Sequence, residues 1–459
     1  MLSTALAACF AVLIYLYHVN RAINAVPEEA HRLSSPRWTV EEIKAAYEKA
    51  IASPTDVVKS LPPRQHRRYI VVGGSGLVGN WIVSHLLMRG EDPAAIRILD
   101  IQTPSREVLD QGIAYIKTNI ANEEAVWSAF AQPWAQSVAD LPLTVFHNAA
   151  VIRHGDRLKA FLPLSRDVNV GGTVNVLIAA KKSGATCVIA TSSGSVCVRR
   201  FPLWIAPWTR LPKYLVQVIN DSSEVPKEHD HFFGNYAVAK AEAESIVCSA
   251  DDPKSNLRTG CIRPINGIYG IGNTDKSVNG AYLMRHGGPC WTYNVVQSFV
   301  NAENVSIAHL LYEQRLIEHT NSPDTLPNIG GQAFVVTDPN PPMVSQDVFL
   351  LLKTLAKTPI DFPFVPAIPL VLLSYLVEWY SLLQHQYLPW LPKLKGDLAQ
   401  LQPGLFTIAS AHIIGDDSRA RKSPEQGGLG YSPPLTTLEG MCKEVKAWNE
   451  TQGAKTASL

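Results

Sequence analysis

The sequence predicts an α/β protein: a doubly wound parallel sheet, a smaller C-terminal region beside it, and an apolar N-terminal helix that anchors the chain in a membrane. Three observations carry this reading. From Arg67 onward, short apolar runs alternate with helical spacing, the pattern of a parallel sheet covered on both faces. Three glycines, Gly73, Gly76 and Gly79, fall between the first such run and the first such helix. Leu2 to Tyr17 is almost wholly apolar and carries no charge.

In chain order, the apolar run extends through Val19 and Asn20 to roughly the 20 residues that span a bilayer. Arg21, Arg32, Arg37, Arg64, Arg67 and Arg68 follow it, which places the body of the chain on the cytosolic side. Residues 1–22 therefore read as an anchor helix. A cleaved signal peptide is the rival, but no basic segment precedes the run and the cleavage pattern is poor. Residues 23–66 read as a peripheral linker with a helix over Trp38–Ala52, opened by a capping box at Thr39-Val-Glu-Glu.

Residues 67–345 hold the sheet. Strands are predicted at Tyr69–Val72, Ile96–Asp100, Ile113–Ile116, Leu143–His147, Thr186–Ala190 and Thr259–Arg263, with helices at Leu77–Met88, Val168–Lys182 and Asn235–Ala250. Residues 197–233, with Trp204, Trp208 and several prolines, read as an insertion. Residues 346–459 form the C-terminal region. Its apolar stretch, Phe362–Leu383, is broken by Pro363, Pro366 and Pro369 and contains Glu378. It reads as a helix in the membrane interface or over a pocket, or else as a buried core helix.

Composition narrows the function. The 41 basic and 40 acidic residues are balanced and form no basic run, so a nucleic-acid partner is not suggested. The seven cysteines have no paired spacing, which reads as buried thiols in a reducing compartment, with neither a disulfide framework nor a metal site. Asn304-Val-Ser and Asn449-Glu-Thr match the glycosylation pattern and are expected to stay unmodified in a cytosolic body.

The glycines have separable jobs. Gly73 permits the tight turn, Gly76 lets the backbone approach a pyrophosphate, and Gly79 allows close helix–strand packing. The helix they open offers free N–H groups and a positive dipole end. Asp100 closes the second strand, placed to accept from a ribose 2′-hydroxyl and to repel a 2′-phosphate, and no arginine follows it. NAD is therefore the expected cofactor rather than NADP.

Tyr236 and Lys240 lie one turn apart on a predicted helix. An ammonium beside a phenol favours the phenolate, so Tyr236 reads as a base and Lys240 as its support. Alone, that pair is as well explained by a surface contact. Ser193, after the fifth strand, supplies a hydroxyl that could hold a substrate oxygen, with Ser195 as the second choice. Asn169 is predicted to begin a helix, either holding a relay water or acting as a plain cap.

These residues resemble the extended short-chain dehydrogenase/reductase family from about Arg68 to Val336. The motifs are Gly73-Gly-Ser-Gly-Leu-Val-Gly79, Phe146-His-Asn-Ala-Ala150, Asn169-Val-Gly-Gly-Thr, Thr191-Ser-Ser, Tyr236 with Lys240, and Arg263-Pro-Ile-Asn-Gly-Ile-Tyr-Gly. More narrowly, Asn304-Val-Ser-Ile-Ala-His-Leu-Leu and Gly331-Gln-Ala-Phe-Val-Val-Thr-Asp338 are similar to the 3β-hydroxysteroid dehydrogenase branch, which includes decarboxylating sterol-4α-carboxylate 3-dehydrogenases. The anchor, the Trp-rich insertion and the tail from Asp416 resemble fungal members.

The resemblance implies a Rossmann fold with Tyr236, Lys240, Ser193 and Asn169 as catalytic residues. It implies cofactor contacts from Gly73, Ser75, Gly76, Leu77, Val78, Gly79, Asp100, Asn119, Ile120, Asn148, Ala149, Ala150, Tyr236, Lys240 and Pro264. Asn119 stands where an aspartate is usual, and an amide can serve the same hydrogen-bonding role. Arg153 or His154 is the expected cation for a substrate carboxylate. A sterol or terpenoid substrate, membrane lipid, a homodimer or other sterol-pathway enzymes are the implied partners, with the endoplasmic reticulum membrane as location. Three activities stand open: 3β-hydroxyl oxidation with loss of a C4 carboxylate, dehydrogenation with isomerisation or ketone reduction on another terpenoid, and a membrane-tethered NAD-binding scaffold without turnover.

Overall fold

The computed structural model describes residues 2–272 and 277–457. Seven strands form the central sheet: β1 (Arg68–Val72), β2 (Ile96–Asp100), β3 (Ala114–Lys117), β4 (Leu143–His147), β5 (Ala185–Thr191), β6 (Arg258–Pro264) and β7 (Ala333–Val336). Their order is β3-β2-β1-β4-β5-β6-β7, and every pairing is parallel. β1 has β2 on one side and β4 on the other, so strand order reverses there and opens a crevice at the strands' carboxyl ends. Val71 and Ile98 face one core layer, while Ile70, Val72 and Val145 face the other. Burial on both faces is why these strands are nearly all apolar.

The helices that position the site are α1 (Leu2–Ile23), α2 (Leu77–Met88), α3 (Gly172–Lys182), α4 (Asn235–Ser249), α5 (Ala302–Asn321), α6 (Ala367–Gln386) and α7 (Thr437–Ala457). The capping box predicted at Thr39 is present on the helix Val40–Ala52. Ile43 of that helix shares a core with Met441, Cys442 and Val445 of α7, which ties the linker to the chain's far end.

Two expectations need correction. The insertion at 197–233 holds a strand where none was expected. Its segment Val216–Ile219 pairs in parallel with His412–Gly415 and completes a second, four-stranded sheet. The thiols are also not all buried: Cys9 is exposed on α1 and Cys248 is partly exposed. The reason for Cys9 is its place on the outer part of α1, whose residues 3–14 are all exposed.

α6 reconciles the two readings of the proline-broken stretch. Pro366 is its N-cap residue and Pro369 lies in its first turn, where the missing N–H leaves no bond unmade. One face, with Ile368, Val371, Ser374 and Glu378, is buried. The other leaves Leu376 at 64% and Trp379 at 62% exposure. Asn304 and Asn449 are buried, so neither sequon is accessible in the folded chain.

Candidate active site

The glycine turn is built at backbone contact distance. Gly73 has φ +77°, and a Cβ there would lie 2.5 Å from the Ala149 nitrogen. A Cβ on Gly79 would lie 2.1 Å from the Gly73 carbonyl oxygen. Strand, turn and helix therefore meet without room for a side chain. Gly76 is the N-cap of α2, and Leu77, Val78 and Gly79 form its first turn. Asp100 accepts from the Ser75 N–H at 2.9 Å and the Gln102 N–H at 2.9 Å, one on each oxygen. Each oxygen keeps a lone pair for a further donor.

The remaining predicted cofactor residues line the same edge of the sheet. Asn119 and Ile120 follow β3, and Asn148, Ala149 and Ala150 follow β4. Pro264 ends β6. The Asn119 side chain accepts from the Ala121 N–H at 3.1 Å, leaving its NH₂ free for other work. Asn148 accepts from the Thr191 hydroxyl, while its own Nδ2 is buried with no hydrogen-bond partner among the described residues. A glycine cradle and an unpaired buried donor fit a dinucleotide along this edge.

Tyr236 and Lys240 sit in the first two turns of α4, both buried. Asn235 fixes that helix start. Its N–H donates to the Asp156 carbonyl at 2.8 Å, its side chain donates to the Leu158 carbonyl at 2.8 Å, and His229 meets its Oδ1 at 2.7 Å. Burial pushes the Tyr236 phenol up to about 12, and its hydrogen bond with Ser193 works against that rise. Ser193 Oγ also lies 2.8 Å from Ser195 Oγ, so the second-choice serine supports the first. Lys240 Nζ donates to the Thr191 carbonyl at 2.6 Å, and burial draws its pKa down. The expected lowering of Tyr236 by Lys240 is thus not a property of the protein alone. The ammonium is engaged with a carbonyl, and desolvation of the phenol prevails.

Asn169 does not begin a helix. It lies in a π-helical stretch, Asp167–Gly171, that joins Leu162–Arg166 to α3 without a break. Its amide accepts from the Val151 N–H at 2.8 Å and donates to the Val151 carbonyl at 3.0 Å, so it clamps the chain leaving β4. Both polar atoms are engaged by backbone, which removes the cap, while one N–H and one lone pair of the amide remain.

The two expected cations also differ from expectation. Arg153 is paired with Asp156. His154 packs edge-on against the Tyr236 ring, with centroids 6.0 Å apart at 61°. It is exposed at the surface, and desolvation by its neighbours lowers its pKa. That shift favours a neutral imidazole beside the Tyr236 phenol over a positive charge.

Sequence reasoning missed the clasp next to this cleft. Arg157 holds Glu378 of α6 bidentately at 2.7 and 2.8 Å, and its guanidinium lies 5.1 Å from the Tyr375 ring centre. The signal was available: a glutamate inside an apolar stretch needs a partner once buried.

A parallel seven-stranded sheet with a glycine cradle, a Tyr–Lys helix and a facing serine defines an extended short-chain dehydrogenase/reductase. Within that class, the model of the 3-beta hydroxysteroid dehydrogenase/isomerase family matches residues 70–359, and the chain belongs to that family. It is 26% identical over 393 residues to a decarboxylating sterol-4-alpha-carboxylate 3-dehydrogenase of Saccharomyces cerevisiae, covering 83% of this chain and 97% of that one. The mouse enzyme of the same name is 26% identical over 400 residues, covering 85% and 93%. Among solved structures, UDP-glucose 4-epimerase from Stenotrophomonas maltophila, with NAD and formylated UDP-arabinopyranose, superposes with a TM-score of 0.56 at 14% identity, covering 85% of this chain and 100% of that one. The Thermotoga maritima UDP-glucose 4-epimerase with UDP-glucose gives 0.54 at 17%, covering 84% and 99%. These two likenesses concern the fold.

Proposed function

We propose that this protein oxidises the 3β-hydroxyl of a sterol or triterpenoid bearing a C4 carboxylate, using NAD, and that the carboxylate then leaves as carbon dioxide. The observation that carries the reading is the Ser193 hydroxyl against the Tyr236 phenol, at the carboxyl edge of a sheet that also bears the glycine cradle. Family membership and decarboxylating relatives support it. A scaffold without turnover asks for no such convergence.

NAD, when bound, supplies the hydride acceptor for the hydrogen on C3. Tyr236 takes the hydroxyl proton, and Ser193 donates to the same oxygen and holds it in line. Lys240, tied to Thr191, supports the phenolate once the site is charged. Oxidation gives a β-keto acid. Its C4–carboxylate bond breaks as the electrons pass to the ketone oxygen, forming an enolate that is then protonated at carbon. No further catalytic group is needed.

The membrane reading rests on two apolar stretches long enough to cross a bilayer, Ser3–Leu33 and Ala367–Gln386. α1 exposes Leu6, Phe10, Leu13 and Tyr17, and α6 exposes Leu372, Leu373, Leu376 and Trp379. Trp208, at 85% exposure, lies beside α1, where His18 meets the Thr209 carbonyl at 3.0 Å. We read α1 as a single-pass anchor in the endoplasmic reticulum membrane, α6 as an interfacial helix, and the catalytic body as cytosolic. A homodimer or an assembly with other sterol-pathway enzymes belongs to the same proposal.

The test offers solubilised protein a 4α-carboxy-3β-hydroxysterol and the same sterol without the carboxylate, following NADH and carbon dioxide. Equal amounts of both products from the first substrate are expected. NADH with a Δ5–Δ4 shift and no carbon dioxide would instead identify a dehydrogenase/isomerase.

A further inference from the structure

α4 carries a third polar residue on the face of Tyr236 and Lys240. Tyr236, Lys240 and Glu244 follow one another at intervals of four, so they form one stripe along the helix. All three are buried, and each meets a different one of three consecutive residues at the end of β5. Tyr236 is hydrogen-bonded with Ser193, and the Lys240 ammonium donates to the Thr191 carbonyl at 2.6 Å. The Glu244 carboxylate accepts from the Ser192 hydroxyl at 2.6 Å. The first two contacts serve the proposed oxidation. The third lies one turn further along α4 and touches no reacting group.

Glu244 is itself held by the neighbouring strand. Arg263 of β6 donates to both its oxygens, from Nε to Oε2 at 2.8 Å and from Nη2 to Oε1 at 2.6 Å. A two-armed guanidinium contact fixes the plane of the carboxylate. Oε2 therefore offers its remaining lone pair at a set point, where the Ser192 hydroxyl meets it. The Ser192 N–H donates to the Ile262 carbonyl of β6 at 2.7 Å. Beyond Ser192 the chain enters the short 3₁₀ segment Gly194–Cys197, and the Ser193 hydroxyl is bonded to Ser195 within that turn. Ser192 is thus the anchored residue from which Ser193 is directed.

We propose that Glu244, clamped by Arg263, is a positioning residue that aims the Ser193 hydroxyl at the Tyr236 phenol through Ser192. This rests on the reading of Ser193 and Tyr236 as the catalytic pair. A buried polar trio costs desolvation that apolar side chains of like volume would not. What it supplies here is a single orientation for the chain that carries Ser193.

The experiment follows NADH formation from NAD and a 4α-carboxy-3β-hydroxysterol. Ser192→Ala and Glu244→Asp are each made in the wild type and in Ser193→Ala, with melting temperature and NADH binding as folding controls. Ser192→Ala leaves the Glu244–Arg263 pair in place, and Glu244→Asp keeps the charge for Arg263 while falling a methylene short of Ser192. Either change should lower kcat about 10- to 100-fold, with both KM values within about threefold of wild type. In Ser193→Ala the same changes should cost less than about threefold, because the group they position is gone. Equal fold-losses in the two backgrounds, or wild-type kcat in Ser192→Ala, would overturn the positioning role and leave the sterol reading intact. A wild type that binds NAD but does not oxidise the sterol would remove that reading and the positioning role with it.

Discussion

Tyr236 is a phenol that its own fold makes harder to ionise. Burial holds it near 12, and Lys240 donates to a carbonyl. Below that pKa, the phenolate fraction rises about tenfold per pH unit. A positively charged nicotinamide nearby would lower the value. We therefore predict that kcat/KM for 3β-hydroxyl oxidation rises with pH between about 7 and 9, with an apparent pKa below 12. A profile flat across that window would argue against Tyr236 as the base. The placement of the glycines, Asp100, Ser193, Tyr236 and Lys240 was legible in the sequence because it follows from local spacing after each strand. Asn169 and Arg153 were misread because their partners, Val151 and Asp156, are set by how loops close.

At the scale of elements, periodicity recovered six of the seven strands of the central sheet, because strands buried on both faces must be apolar, and missed the edge strand Ala333–Val336. It did not recover the strand Val216–Ile219, whose partner at His412–Gly415 lies nearly two hundred residues away. The N-terminal helix has two parts that composition alone does not separate. Its outer turns are exposed, whereas Val19, Ala22 and Ile23 are buried in the core, and the Tyr15 hydroxyl donates to the Ile205 carbonyl at 3.0 Å. Deleting residues 2–14 should therefore weaken membrane partitioning with little change in melting temperature. Deleting residues 2–23 should also destabilise the body, at roughly 1.5–3 kcal/mol per buried Val or Ile side chain. Vesicle flotation and thermal melts on the two truncations distinguish these effects, and equal melting temperatures would contradict the packing role.

Across the whole molecule, the apolar helices α1 and α6 are physically joined to the loop beside Tyr236. Tyr15 of α1 stacks on Trp204 with centroids 6.4 Å apart, Trp204 stacks on Tyr375 of α6 at 6.4 Å, and Arg157 lies over Tyr375. Arg157 belongs to the loop whose His154 packs on Tyr236. The most direct test of the central claim is NADH formation by the full-length, detergent-solubilised protein on a 4α-carboxy-3β-hydroxysterol, beside Tyr236→Phe. Turnover by the native protein, with the variant still binding NAD but slowed by about 10²- to 10⁴-fold, is the predicted result. Equal turnover by both proteins, or none by the native protein despite bound NAD, would contradict it.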